Sequence, residues 1–99
     1  MEEILIYTKL YDCYSELLTE KERNAFQDYY FDNLSMQEIA DNNQVSKSAI
    51  HKTLQVAIEK LELYERILKI NQKNEVLNSL LDEDDIKKIK SKIKNILEI

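Results

Sequence analysis

The chain of 99 residues contains neither glycine nor proline. Glycine enters left-handed backbone without penalty, and proline stops a helix by removing an N–H and clashing with the preceding turn. Without them, tight hairpin turns are unfavourable and helices run until something else halts them. No stretch alternates apolar and polar residues with period two, whereas apolar residues recur at steps of three and four throughout. The expected fold class is therefore all-α, a helical bundle. Its 43% hydrophobic and 33% charged residues supply a core and a solvated exterior for one domain.

With the usual punctuation missing, boundaries are read from caps and apolar stripes. A first helix is expected from about Glu2 to Leu17, with two adjoining stripes, Ile4-Tyr7-Tyr11-Tyr14-Leu18 and Ile6-Leu10-Cys13-Leu17. That face is wider than one neighbour requires, so the helix is central or also meets a second copy. Thr19-Glu20-Lys21-Glu22 is a capping box opening helix two, which carries Ala25, Phe26, Tyr29 and Tyr30 inward and stops at Asn33. Ser35 and Glu38 form a second box before a helix over Met36 to Asn42. Ser46 caps a long fourth helix that runs to about Asn71, where Ile50, Leu54, Ala57, Leu61, Tyr64 and Leu68 recur at heptad-like spacing. Val76, Leu77, Leu80 and Leu81 follow, then the acidic run Asp82-Glu83-Asp84-Asp85, suited to a helix N-terminus. The last helix sets Ile86, Ile89, Ile93 and Ile96 on one edge and five lysines around the rest. Residues 1–99 thus read as a single domain. Residues 19–70 form one unit, while 1–18 and 72–99 build the bundle and a homodimer interface.

The stretch from Leu34 to Leu54 carries the functional expectation. Two short helices meet at the small residue Ala40 across the polar break Asn42-Asn43-Gln44, the layout of a helix-turn-helix, and this points to nucleic-acid binding. The candidate contact residues are Lys47, Ser48, His51, Lys52 and Gln55, with the lysines on phosphates and the others near base edges. The net charge of −5 is unevenly spread. Residues 1–43 hold ten acids against three bases, net −7, while residues 44–73 hold six bases against three acids, net +3. Taking Lys47, Lys52 and Lys60 as the cations available to phosphates gives a salt slope near −2.7, roughly a fortyfold loss of affinity between about 50 and 200 mM salt. So few cations make useful affinity depend on a dimer.

Other classes lack their residues. With Cys13 and His51 each the sole residue of its type, no disulfide framework, metal site or nucleophile–base–orienter set can be assembled. Carboxylate pairs such as Asp84-Asp85 face different sides of a helix, and there is no glycine-rich phosphate loop. No enzyme activity and no cofactor are expected. No apolar run approaches roughly 18 residues, and the start MEEILIYTKL is acidic, so no membrane insertion and a cytoplasmic location are expected.

Three segments together resemble a known family. Leu10 to Arg23, reading LYDCYSELLTEKER, resembles the "FDFYxxLLTEKQR"-like start of the YlxM proteins. Tyr29-Tyr30 with Leu34 to Ala40 is similar to their "YYxxxxSLxEIA", and Val45 to Ile50 to their "VSRQAV". The resemblance covers about residues 5–70 and implies a fold like sigma-factor region 4, a helix-turn-helix with added helices. Genes of that family typically lie beside those of the signal recognition particle GTPases. The resemblance therefore implies a part in that targeting pathway or its regulation, through contact with its RNA or its GTPase. A DNA-binding transcriptional regulator and a protein-interaction scaffold are the alternatives. One departure concerns the turn, where the family has an apolar residue and glycine before "VS" and this chain has Asn43-Gln44. Either Gln44 takes the left-handed conformation, at about 1 kcal/mol relative to glycine, or Asn43 takes it instead.

Overall fold

The computed structural model describes residues 2–99, with side chains from Glu3 onward. Among the described residues there are six α-helices and no strand: α1 (Glu2–Tyr14), α2 (Glu20–Phe26), α3 (Met36–Asn43), α4 (Lys47–Leu68), α5 (Ile70–Leu80) and α6 (Ile86–Glu98). Local chemistry explains most boundaries. Thr19 and Glu22 complete the first capping box, and Ser35 and Glu38 the second. The hydroxyl of Ser46 accepts the Ala49 N–H at 3.1 Å, and Asp85 accepts the N–H groups of Lys87 and Lys88 at the start of α6.

The chain turns without glycine by placing Asn33, Gln44 and Lys69 at φ 58°, 55° and 55°. Asn tolerates this region, but for Gln and Lys the crowding of Cβ against the following carbonyl costs about 1–2 kcal/mol each. Two helix ends differ from the sequence expectation. α1 stops at Tyr14 and tightens into a 3₁₀ turn over Ser15–Leu17. α2 widens into a π-helical turn over Gln27–Phe31, with the Asp32 N–H donating to the Gln27 carbonyl at 3.0 Å, before Asn33 ends it as expected.

The third difference is larger. α4 stops at Leu68 rather than near Asn71, and the stop is imposed from outside the helix. The hydroxyl of Tyr14, on α1, donates to the Glu65 carboxylate and accepts the Ile70 N–H at 3.0 Å. Glu65 also accepts the N–H groups of Asn71 and Gln72 at 3.0 and 3.1 Å. The orphan donors at the start of α5 are thus satisfied by side chains of α1 and α4, which stabilises a new helix at the point where the old one could have continued.

Two adjoining clusters make the core, and α4 contributes to both. Leu10, Tyr11, Tyr14, Leu18, Phe26, Ala57 and Leu61 form one, in which the Tyr11 and Phe26 rings stack with centroids 4.5 Å apart. Ala25, Ile39, Ala40, Ile50 and Leu54 form the other, binding α3 to the first half of α4. Only part of the wide α1 face is used, for Ile4, Leu5 and Ile6 stay exposed. Cys13 is half-buried against the first cluster, and burial, followed by the Glu65 and Asp12 charges, pushes its thiol up, away from the reactive thiolate. α5 is tied to α1 by the Lys9–Glu75 ion pair at 3.8 Å and turns back into α6. This hairpin makes the molecule long, 57 × 23 × 19 Å.

Candidate nucleic-acid interface

The turn between α3 and α4 is built around Gln44. Its N–H donates to the Asp41 carbonyl at 3.3 Å, and the Val45 N–H to the Ala40 carbonyl at 3.0 Å, the paired bonding that ends a helix with one left-handed residue. Of the two candidates for that conformation, Gln44 is therefore the one that adopts it. Asn43 stays helical and donates from its side-chain amide to the Ile39 carbonyl at 2.7 Å. Ala40 is fully buried where the helices meet, small enough for α4 to approach.

With Ile50 and Leu54 turned into the core, the opposite side of α4 faces solvent. Lys47, Ser48, His51, Lys52 and Gln55 are all exposed. At about 100° per residue they share an arc of roughly 140° on the first turns of the helix. Lys47 and Lys52 have no ion-pair partner among the described residues. Beyond Gln55 the same arc carries Glu59 and Glu62, both exposed. The cationic surface therefore occupies the N-terminal part of α4 alone, where the positive end of the helix dipole adds to it.

Lys60 does not belong to this surface. Its ammonium lies 2.9 Å from the Glu22 carboxylate, which is itself nearly buried. Burial pushes the Glu22 carboxyl up, but the hydrogen bond from Lys60 and those from the Thr19 backbone and hydroxyl outweigh it and hold it below its ordinary value. The bond to Glu22 raises Lys60 in turn. The three cations counted from sequence thus lose one. Lys21 lies close to one of the remaining two: this exposed lysine shares a groove between α2 and α4 with Thr19, Glu22, Ala49, Lys52 and Thr53, and it has no ion-pair partner among the described residues. Sequence spacing gave no sign of it, because the proximity of Lys21 and Lys52 depends on how α2 packs against α4.

No group of three or more His, Cys, Asp or Glu among the described residues could hold a metal ion. No helix there is long and apolar enough to cross a membrane.

The whole chain, residues 1–99, matches the family model described as "Putative helix-turn-helix protein, YlxM / p13 like". The chain belongs to the UPF0122 family. Relatives in that family include a UPF0122 protein of Shouchella clausii, 41% identical over 84% of this chain and 76% of its own. One from Mycoplasma capricolum is 34% identical over 100% of this chain and 89% of its own. Another, from Ureaplasma urealyticum, is 42% identical over 82% and 86%. The YlxM likeness read from residues 5–70 is thereby shown, and the UPF0122 match extends it through α5 and α6, where no motif was legible.

Proposed function

We propose that this UPF0122 protein binds nucleic acid through the first two turns of α4, with Lys47 and Lys52 on phosphates and Ser48, His51 and Gln55 toward the bases, and Lys21 adding a phosphate contact from α2. The observation that carries the reading is the exposed arc of unpaired cations on a helix-turn-helix, in a chain whose net charge is −5. A solvated face alone gives no reason for unpaired cations to lie where such helices enter a groove. The YlxM likeness supports a role in, or regulation of, the signal recognition particle pathway, with its RNA as ligand and its GTPase as protein partner. The site of action is the cytoplasm, where a free thiol such as Cys13 stays reduced. With so few cations per chain, two copies act together.

Titration of the signal recognition particle RNA and of duplex DNA at several salt concentrations tests this. Three cations predict a slope near −2.7 per chain on duplex DNA and about −5 for a pair. Tighter, salt-dependent RNA binding supports the targeting role, whereas preference for a DNA sequence supports a transcriptional regulator. Absence of salt-dependent binding to either overturns the proposal. The acids Glu59 and Glu62 beside the cationic arc favour a second reading, a scaffold for other proteins, and retention of the GTPase by a protein that binds no nucleic acid supports that instead.

A further inference from the structure

The α5–α6 hairpin is thinly packed. The two helices pack on each other, and Val76 and Leu80 on α5 and Ile89 and Ile96 on α6 are half-buried, yet no residue of either helix is fully buried. A second apolar row on each helix stays exposed among the described residues. On α5 it is Ile70, Leu77 and Leu81, exposed by 38%, 48% and 82%. On α6 it is Ile86, Ile93 and Leu97, exposed by 68%, 44% and 80%. Both rows step by seven and then four residues, the spacing of a bundle seam. Each row lies roughly a quarter-turn beyond those half-buried residues in the same rotational sense. In antiparallel helices that brings both rows to the same face of the hairpin.

We infer that this face is the interface between two copies of the chain, which complete an antiparallel four-helix bundle from two hairpins. Area favours this occupant. The six side chains leave on the order of 500 Å² of apolar surface in water, the upper end of what a monomer exposes in one patch. Two such faces, apolar atoms being about two-thirds of a homodimer interface, bury roughly 1,600 Å² in total, the size of a stable specific contact. Charge selects the orientation. The hairpin tip carries Asp82 and Asp84, whereas Lys94 flanks the apolar row of α6 toward its far end. Hairpins laid tip to tip would set acid against acid; laid tip to base, each copy's aspartates approach the other's Lys94, and the pairing is two-fold symmetric. The surface specifies the pairing invoked for nucleic-acid binding but stands apart from it, since it requires no ligand.

Sedimentation and light scattering of the full chain without nucleic acid decide the matter. A mass of twice 11.8 kDa at high micromolar concentration is expected, falling to one copy in Leu81→Glu with Leu97→Glu while helical content is kept. Ile4→Glu with Ile6→Glu, on the exposed face of α1, leaves the dimer intact. A wild-type monomer, a dimer that survives the hairpin pair of substitutions, or one lost only through the α1 pair overturns the inference. Should the hairpin variant lose its helices, amide exchange of the wild type across residues 76–98 still reads the interface. Slower exchange with rising concentration supports it, and concentration-independent exchange refutes it. Lys47→Glu with Lys52→Glu must leave the mass unchanged, which keeps failure of the nucleic-acid reading separate.

Discussion

Single residues carry backbone and electrostatic strain that substitutions can expose. Gln44 holds a left-handed conformation that glycine adopts freely. Gln44→Gly relieves about 1–2 kcal/mol of crowding and gives back part of it to the greater freedom of the unfolded chain, so a net gain of about 0.5–1 kcal/mol is expected in urea unfolding. Glu22 has its carboxyl held below the ordinary value of 4.5. A group lowered by folding contributes stability that is complete above its unfolded value and is lost as pH falls through the folded one. Glu22→Gln keeps the capping box acceptor but loses the charge, and it is expected to cost about 1 kcal/mol at neutral pH and to flatten the acid limb of the stability curve below 4.5. Tyr14 behaves with the opposite sign. Burial, then the hydrogen bond to Glu65, pushes its hydroxyl up to about 12 from 10.0, so its contribution is present below 10.0 and disappears as pH rises toward 12. Tyr14→Phe leaves Glu65 and the Ile70 N–H without their shared partner. A loss of about 1.5–3 kcal/mol is expected, together with a weaker alkaline transition in circular dichroism.

At the scale of elements, what was legible in the sequence was what is local. Capping boxes at Thr19 and Ser35, the cap at Ser46, the stop at Asn33 and the inward stripe of α4 from Ile50 to Leu61 all depend on neighbours within a few positions, and each forms as the pattern requires. The end of α4 depends on Tyr14, 51 positions from Glu65 and 56 from Ile70, and no window along the chain contains that relation. The candidate site divides the same way. The exposure of Lys47, Ser48, His51, Lys52 and Gln55 follows from the Ser46 cap and from the burial of Ile50 and Leu54. The engagement of Lys60 by Glu22 and the nearness of Lys21 to Lys52 follow from α2 packing on α4, which spacing does not encode. For the proposed nucleic-acid contact, Lys47→Ala with Lys52→Ala should lower the magnitude of the duplex salt slope by about 1.8, and Lys21→Ala by a further 0.9 or so. Lys60→Ala should leave that slope unchanged while lowering stability, since its charge is already held by Glu22.

Across the whole molecule, charge and shape divide the labour. The acidic first 43 residues repel polyanions, which in the proposed contact favours approach along the start of α4. Raising salt should therefore weaken non-specific association less steeply than a net-basic protein would show, because repulsion and attraction are screened together. In the proposed dimer, dilution below the dissociation constant should cut apparent nucleic-acid affinity and halve the salt slope at once, measurable in one titration series at two protein concentrations. α5 leaves α4 at an angle held by the Tyr14 phenol and the Glu65 carboxylate. If two chains join through their hairpins as proposed, those two groups fix the gap and pitch between the two α4 N-termini, and a single hydroxyl becomes the calliper for any polyanion that bridges them.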